Sequence, residues 1–134
     1  MDALQMTLIA GGLGAFAGGM AGVLTLSGTD LTGAGGEPAP LDRRLALGAY
    51  LLASHAVAAG ALWQVPTVGS CIAAGLGAGW LGAAAAGLIA LLNKPGRTTW
   101  RLAQIAGRLA IGLTMLAPLW AYVKIMQAQA LTLV

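Results

Sequence analysis

Seven basic and four acidic residues are all the charge that 134 residues carry, 8% of the chain, while 58% of it is hydrophobic. Soluble domains carry about 25% charged residues, and here the charges fall between apolar blocks, so no block has the polar stripe that a water-facing helix needs. A soluble domain is excluded; so is nucleic-acid binding, because the net charge of +3 forms no basic stripe interleaved with aromatics.

The first apolar block, 3–27, is long enough to span a bilayer, which takes about 20 residues. It follows Asp2 and not a basic segment, so it reads as a retained helix rather than a secretory signal. Gly14, Gly18 and Gly22 recur at intervals of four, with Gly11, Ala15 and Gly19 as a second row beside them. Lipid tails are as apolar as leucine, so small residues join membrane helices by letting their backbones approach. Such rows serve packing within the chain or a face for another subunit. A polar segment, 28–44, follows, with Asp30, Glu37, Pro38, Pro40, Asp42, Arg43 and Arg44.

The second span is 45–63. Its His55 stands about eight residues, roughly 12 Å, from the span's end and so near the bilayer centre. Ionisable groups at that depth are functional candidates. One reading is an axial ligand to haem or a chlorophyll-type pigment, a proton relay or a quinone contact. The other is a neutral imidazole bonded to a carbonyl or hydroxyl of a neighbouring helix. As the sole histidine it excludes bis-histidine haem ligation within the chain; Met115 is a candidate second ligand, although methionines at helical spacing usually serve packing.

A turn around Gln64, Pro66 and Gly69 leads to the third span, 68–92. Gly75, Gly79, Ala83 and Gly87 form one small-residue row there, and Ser70, Ala74, Ala78, Gly82 and Ala86 another. Trp80 falls mid-span, where its N–H needs a partner. Cys71 reads as a buried small residue; as the only cysteine it excludes an intrachain disulfide. Asn93-Lys94-Pro95-Gly96 is a turn and helix stop. The fourth span, 102–126, contains Pro118, which removes a backbone hydrogen bond and kinks the helix, and a short polar tail follows.

Six of the seven basic residues lie at one side of such a four-span chain, in or next to segments 28–44 and 93–101; Lys124 alone is at the other. The positive-inside rule makes the basic side cytoplasmic and puts both termini outside. Trp63, Trp120 and Tyr122 at the outer boundary and Trp100 at the inner one suit interfacial anchors. Arginine outnumbers lysine by five to two in a chain rich in Ala and Gly, which points to a bacterial inner membrane. Arg44 and Arg108 begin corresponding spans and either snorkel to the headgroups or, with Arg43 and Arg101, and with Lys94 and Arg97 near them, bind anionic lipid.

Two words recur: Gly12-Leu13-Gly14-Ala15 as Gly75-Leu76-Gly77-Ala78, and Arg44-Leu45-Ala46-Leu47-Gly48 as Arg108-Leu109-Ala110-Ile111-Gly112, at offsets of 63 and 64. They suggest two parallel helix-hairpin repeats. The expected fold is an all-α integral membrane protein with four transmembrane helices in a single compact bundle. No carboxylate falls within a span, which excludes the ion-carrying chemistry of rotary-ATPase proteolipids and of small multidrug transporters. No enzyme is expected, no metal site, and no cofactor that the sequence requires. The expected function is a non-catalytic subunit packing through Gly/Ala-rich faces into a respiratory, photosynthetic or secretion-type membrane complex. Its partners would be other membrane subunits, copies of itself, and lipids. The alternative is a small homo-oligomeric channel or transporter lined by Thr7, Thr25, Ser54 and Thr114.

Overall fold

The computed structural model describes residues 2–28, 40–93 and 98–131, and within them every regular element is a helix. These are α1 (Ala3–Leu26), α2 (Leu41–Gln64), α3 (Pro66–Asn93) and α4 (Thr98–Leu131). Each is long and apolar enough to cross a membrane, which points to a membrane location.

Local chemistry sets the helix ends. Asp2 caps α1 by accepting from the Gln5 backbone N–H at 2.7 Å, while the Gln5 side chain accepts from the Asp2 N–H at 3.1 Å. This reciprocal box satisfies two of the donors that a helix start leaves open. After Ser27 the chain turns at Gly28, whose φ of +91° favours glycine. The second helix starts four residues before the 45–63 expected from hydropathy. Pro40 stands at its N-cap and Asp42 in its first turn, where a negative charge suits the helix dipole. Asp42, Arg43 and Arg44 therefore belong to α2 and not to the loop. Only Val65 separates α2 from α3, which begins at Pro66, because a proline at the first helical position loses no hydrogen bond.

The fourth helix runs on past residue 126, where a polar tail was expected. At 34 residues it is about 51 Å long, against roughly 30 Å of hydrocarbon. The Asn93–Gly96 turn falls outside the described residues after Asn93, as do Asp30, Glu37 and Arg97.

Helices adjacent in sequence pack against each other, α1 also packs against α4, and α1 touches α3 across the middle. Glycine makes the close approaches. A Cβ on Gly22 would lie 2.8 Å from the Gly48 carbonyl oxygen of α2, and one on Gly48 would lie 2.9 Å from the Gly22 oxygen. Gly77 of α3 and Gly112 of α4 face each other in the same way, at 2.8 and 3.0 Å. Gly11 meets Pro118, and Gly14 meets Thr114 and Met115. Pro118 is thus fully buried at the α1–α4 contact.

The core at this level is Ala15, Ala58, Leu62, Ala73 and Met115, with residues from all four helices. A smaller cluster of Ala84, Leu91 and Ile105 joins α3 to α4 alone. The repeated words are equivalent in part: Gly48 packs on α1 and its counterpart Gly112 on α3, each within its own hairpin, whereas Gly77 packs on α4 within its hairpin and its counterpart Gly14 packs across to α4.

Candidate functional site

The centre of the molecule is His55. It is 1% exposed, among the largest fully buried side chains of the protein. Its ring lies where a Cβ on Gly18 of α1 would be, so the glycine makes the space for it. On its own helix, Nδ1 is 2.7 Å from the Leu51 carbonyl oxygen. From α3, Trp80 donates its indole N–H to Nε2 at 2.8 Å. The two rings meet edge to face, with centroids 5.9 Å apart at 67°.

These partners decide the tautomer. A carbonyl only accepts and an indole only donates, so the proton sits on Nδ1 and Nε2 offers its lone pair. The imidazole is neutral and both nitrogens are engaged. For a satisfied imidazole the expected partner was a carbonyl or hydroxyl of a neighbouring helix; here the carbonyl is on its own helix, and the neighbouring helix supplies a donor. An axial bond to a haem or pigment metal would need the Nε2 lone pair, and Trp80 would have to release it. Ser54 Oγ donates to the same Leu51 oxygen at 3.2 Å and stands 3.3 Å from Nδ1. Gly18, Gly19, Ser54 and Trp80 around the ring carry no charge. Met115 is also fully buried, packed on Gly14 and Gly77.

Other hydroxyls are satisfied within their helices. Thr7 donates to Leu4 O, Thr25 to Ala21 O, Ser70 to Pro66 O, and Thr114 to Ala110 O and Ile111 O, at 2.6–3.0 Å. An apolar medium offers no water, so each hydroxyl bonds back to its own backbone. These bonds turn Thr7, Thr25, Ser54 and Thr114 towards their own helices.

The basic residues differ from one another. Arg43 is exposed, whereas Arg44 lays its guanidinium against Gly28, 3.1 Å from where a Cβ would stand. Arg44 Nε is buried without a hydrogen-bond partner. Arg108 reaches sideways and donates from Nη1 to the Ala83 carbonyl oxygen of α3 at 3.2 Å. Arg101 is half-buried on the same face of α4. Lys94 and Arg97 lie outside the described residues.

Among the glycines singled out from sequence, Gly14 packs on α4, and Gly18 and Gly22 pack on α2. A row at intervals of four drifts about 40° per step around a helix, so one row serves two neighbours. Gly87 meets Ile105 and Arg108 of α4, but Gly75 and Gly79 have open space where a Cβ would be. Two further α3 glycines, Gly69 and Gly77, approach the backbones of other helices. Gly77 was visible in sequence only as part of a repeated word, because the rows at intervals of four pass it by. Cys71, expected to be buried, is exposed on the outward side of α3. A small residue is as compatible with lipid as with a helix interface, so size alone could not orient it.

At the end that carries Gln5 and Trp63, a crevice of about 520 Å³ opens between α1, α2 and the start of α3. Leu8, Ile9, Gly12, Leu62 and Pro66 line it, and no titratable side chain does. Comparison with family models, with curated proteins and with solved structures finds no match for this chain.

Proposed function

We propose that this protein is a non-catalytic subunit of a larger membrane assembly, docked through the outward face of α3. The observation that carries this reading is the contrast between two sets of glycines. Gly11, Gly14, Gly18, Gly22, Gly48, Gly69, Gly77 and Gly112 are each closed over by another helix of the chain. Gly75, Gly79 and Gly82 have nothing within 4 Å, and they share an exposed strip of α3 with Cys71, Ala78 and Ala86. A helix face smoothed in this way loses side-chain contact with lipid and gains backbone contact with a partner helix. The uncharged, hydrogen-bonded surroundings of His55 give no acid–base or nucleophilic constellation, which favours a scaffolding role over catalysis.

The assembly would be of respiratory, photosynthetic or secretion type, in a bacterial inner membrane with the termini outside. That orientation rests on the basic residues gathered at the other end. A homo-oligomeric channel or transporter is the competing reading. The threonines and Ser54 that would line its path are bonded back to their own helices, which favours the subunit.

Native mass spectrometry after gentle extraction from the host membrane tests the proposal. Unrelated subunits should co-elute with the wild type, and Gly79→Leu together with Gly82→Leu should abolish this without unfolding the chain. A bismaleimide should link Cys71 to another subunit. Self-linked dimers and a pure homo-oligomer would instead favour the channel.

A further inference from the structure

The first two helices touch backbone to backbone at one end and stand apart at the other. A Cβ on Gly22 would lie 2.8 Å from the Gly48 carbonyl oxygen, whereas nothing across from Gly12, about 15 Å nearer the start of α1, comes within 4 Å. The gap that opens is the crevice of about 520 Å³, walled by Leu8, Ile9 and Gly12 of α1 and by Ala59, Leu62 and Trp63 of α2. It follows α1 inwards from Gln5 to Gly12, about 10 Å. Its volume lies within the roughly 300–1,000 Å³ of ligand pockets.

The wall decides what fills it. A water needs two to four polar partners. Among the described residues the polar side chains on the wall are Gln5 and the Trp63 indole, both in the terminal turns of their helices. Gln5 Oε1 already accepts from the Asp2 N–H at 3.1 Å. The depth of the crevice, at Leu8, Gly12 and Ala59, therefore offers water nothing to bond. An empty crevice would forfeit dispersion contacts along the whole wall. The occupant is apolar.

The surface around the crevice separates a lipid chain from a partner helix. Met6, Ile9, Leu13, Phe16 and Met20 follow one another at spacings of three and four, and all are exposed. This side of α1 thus carries large apolar side chains, unlike the bare glycines on the outward strip of α3. Large side chains hold another backbone away and suit mobile acyl chains. Ile9 belongs both to this strip and to the wall, so the crevice is continuous with it. Trp63 stands 86% exposed at the mouth, as an aromatic at headgroup level does. No charge on the wall selects a headgroup.

We propose that the crevice between α1 and α2 holds one phospholipid acyl chain, inserted from the leaflet at the Gln5–Trp63 end and recognised by its chain rather than its headgroup. The site is independent of whether α3 docks another subunit.

The test titrates the full chain, delipidated in neutral detergent, with dioleoyl phosphatidylcholine or dioleoyl phosphatidylglycerol under native mass spectrometry. One lipid per chain should bind, equally tightly with either headgroup. Gly12→Leu grows into the crevice and should weaken both by roughly tenfold, the loss of about ten atom contacts; Gly12→Ala should weaken them less. Gly107→Leu, in open space on α4, should change neither. A diazirine side chain introduced at Ile9 should capture lipid in host membranes. Capture of another subunit or of a second copy there would overturn the proposal in favour of a docked helix. Binding to Gly12→Leu as tight as to the wild type, or equally lost in Gly107→Leu, would overturn the site, and a tenfold preference for one headgroup would overturn recognition by the chain. Leucine and alanine are better helix formers than glycine, and should Gly12→Leu still misfold, Gly12→Ala and the Ile9 capture decide.

Discussion

Gly69→Ala should cost about 3 kcal/mol of stability or more, the largest effect of any single methyl added to this protein. The added Cβ would run into the backbone of Ala61 and Leu62 on α2, nearer than real Cβ atoms come. Backbone cannot rotate aside as a side chain can. Nor can the helices part, because one residue joins them and the Gly69 N–H is bonded to Val65 O at 2.9 Å. The matched control is Gly75→Ala on the same helix, where the space is open. Alanine is a better helix former than glycine, so Gly75→Ala should be neutral or stabilising by up to about 1 kcal/mol. Reversible unfolding of both variants in mixed micelles measures the difference. Equal midpoints would mean that α2 and α3 do not approach at Gly69 as described.

His55→Ala should be the second large effect, about 2–4 kcal/mol. Part is the cavity left by a fully buried ring. The rest is the Trp80 N–H, which loses its acceptor in a medium without water. The two parts separate in a double-mutant cycle with Trp80→Phe, which removes the donor as well. The pair should be coupled by about 1 kcal/mol, the double variant being less destabilised than the two singles together. Additive losses would show that the ring matters only by its volume. Protein taken from its own membranes decides the ligand reading: a haem or pigment absorption band that disappears in His55→Ala would make the imidazole a ligand.

Much of this was legible in the residues. The four helices follow from apolar blocks without polar stripes, and their length follows from the bilayer. The partner sought for the mid-span Trp80 N–H exists. What composition could not give is direction. Glycine looks alike whether it faces another helix or lipid, so the row Gly75-Gly79 read like the row Gly14-Gly18-Gly22, and only the second is closed over. Cys71 was misplaced for the same reason. In water a buried face announces itself by being apolar; here both faces are apolar, and that signal is lost.

The sequence by itself determined the class of structure and the segments that make it. Excluding water from a helix that cannot solvate it, and satisfying every backbone polar group inside a hydrocarbon layer, leave little choice. Which helix touches which, and through which residues, was decided only by the tertiary structure. A central imidazole meets its donor 25 residues further along the chain, and an arginine finds a carbonyl across a helix pair. Those pairings depend on crossing points fixed by backbone approach at a few glycines, and in a chain rich in glycine no local pattern distinguishes those few from the rest.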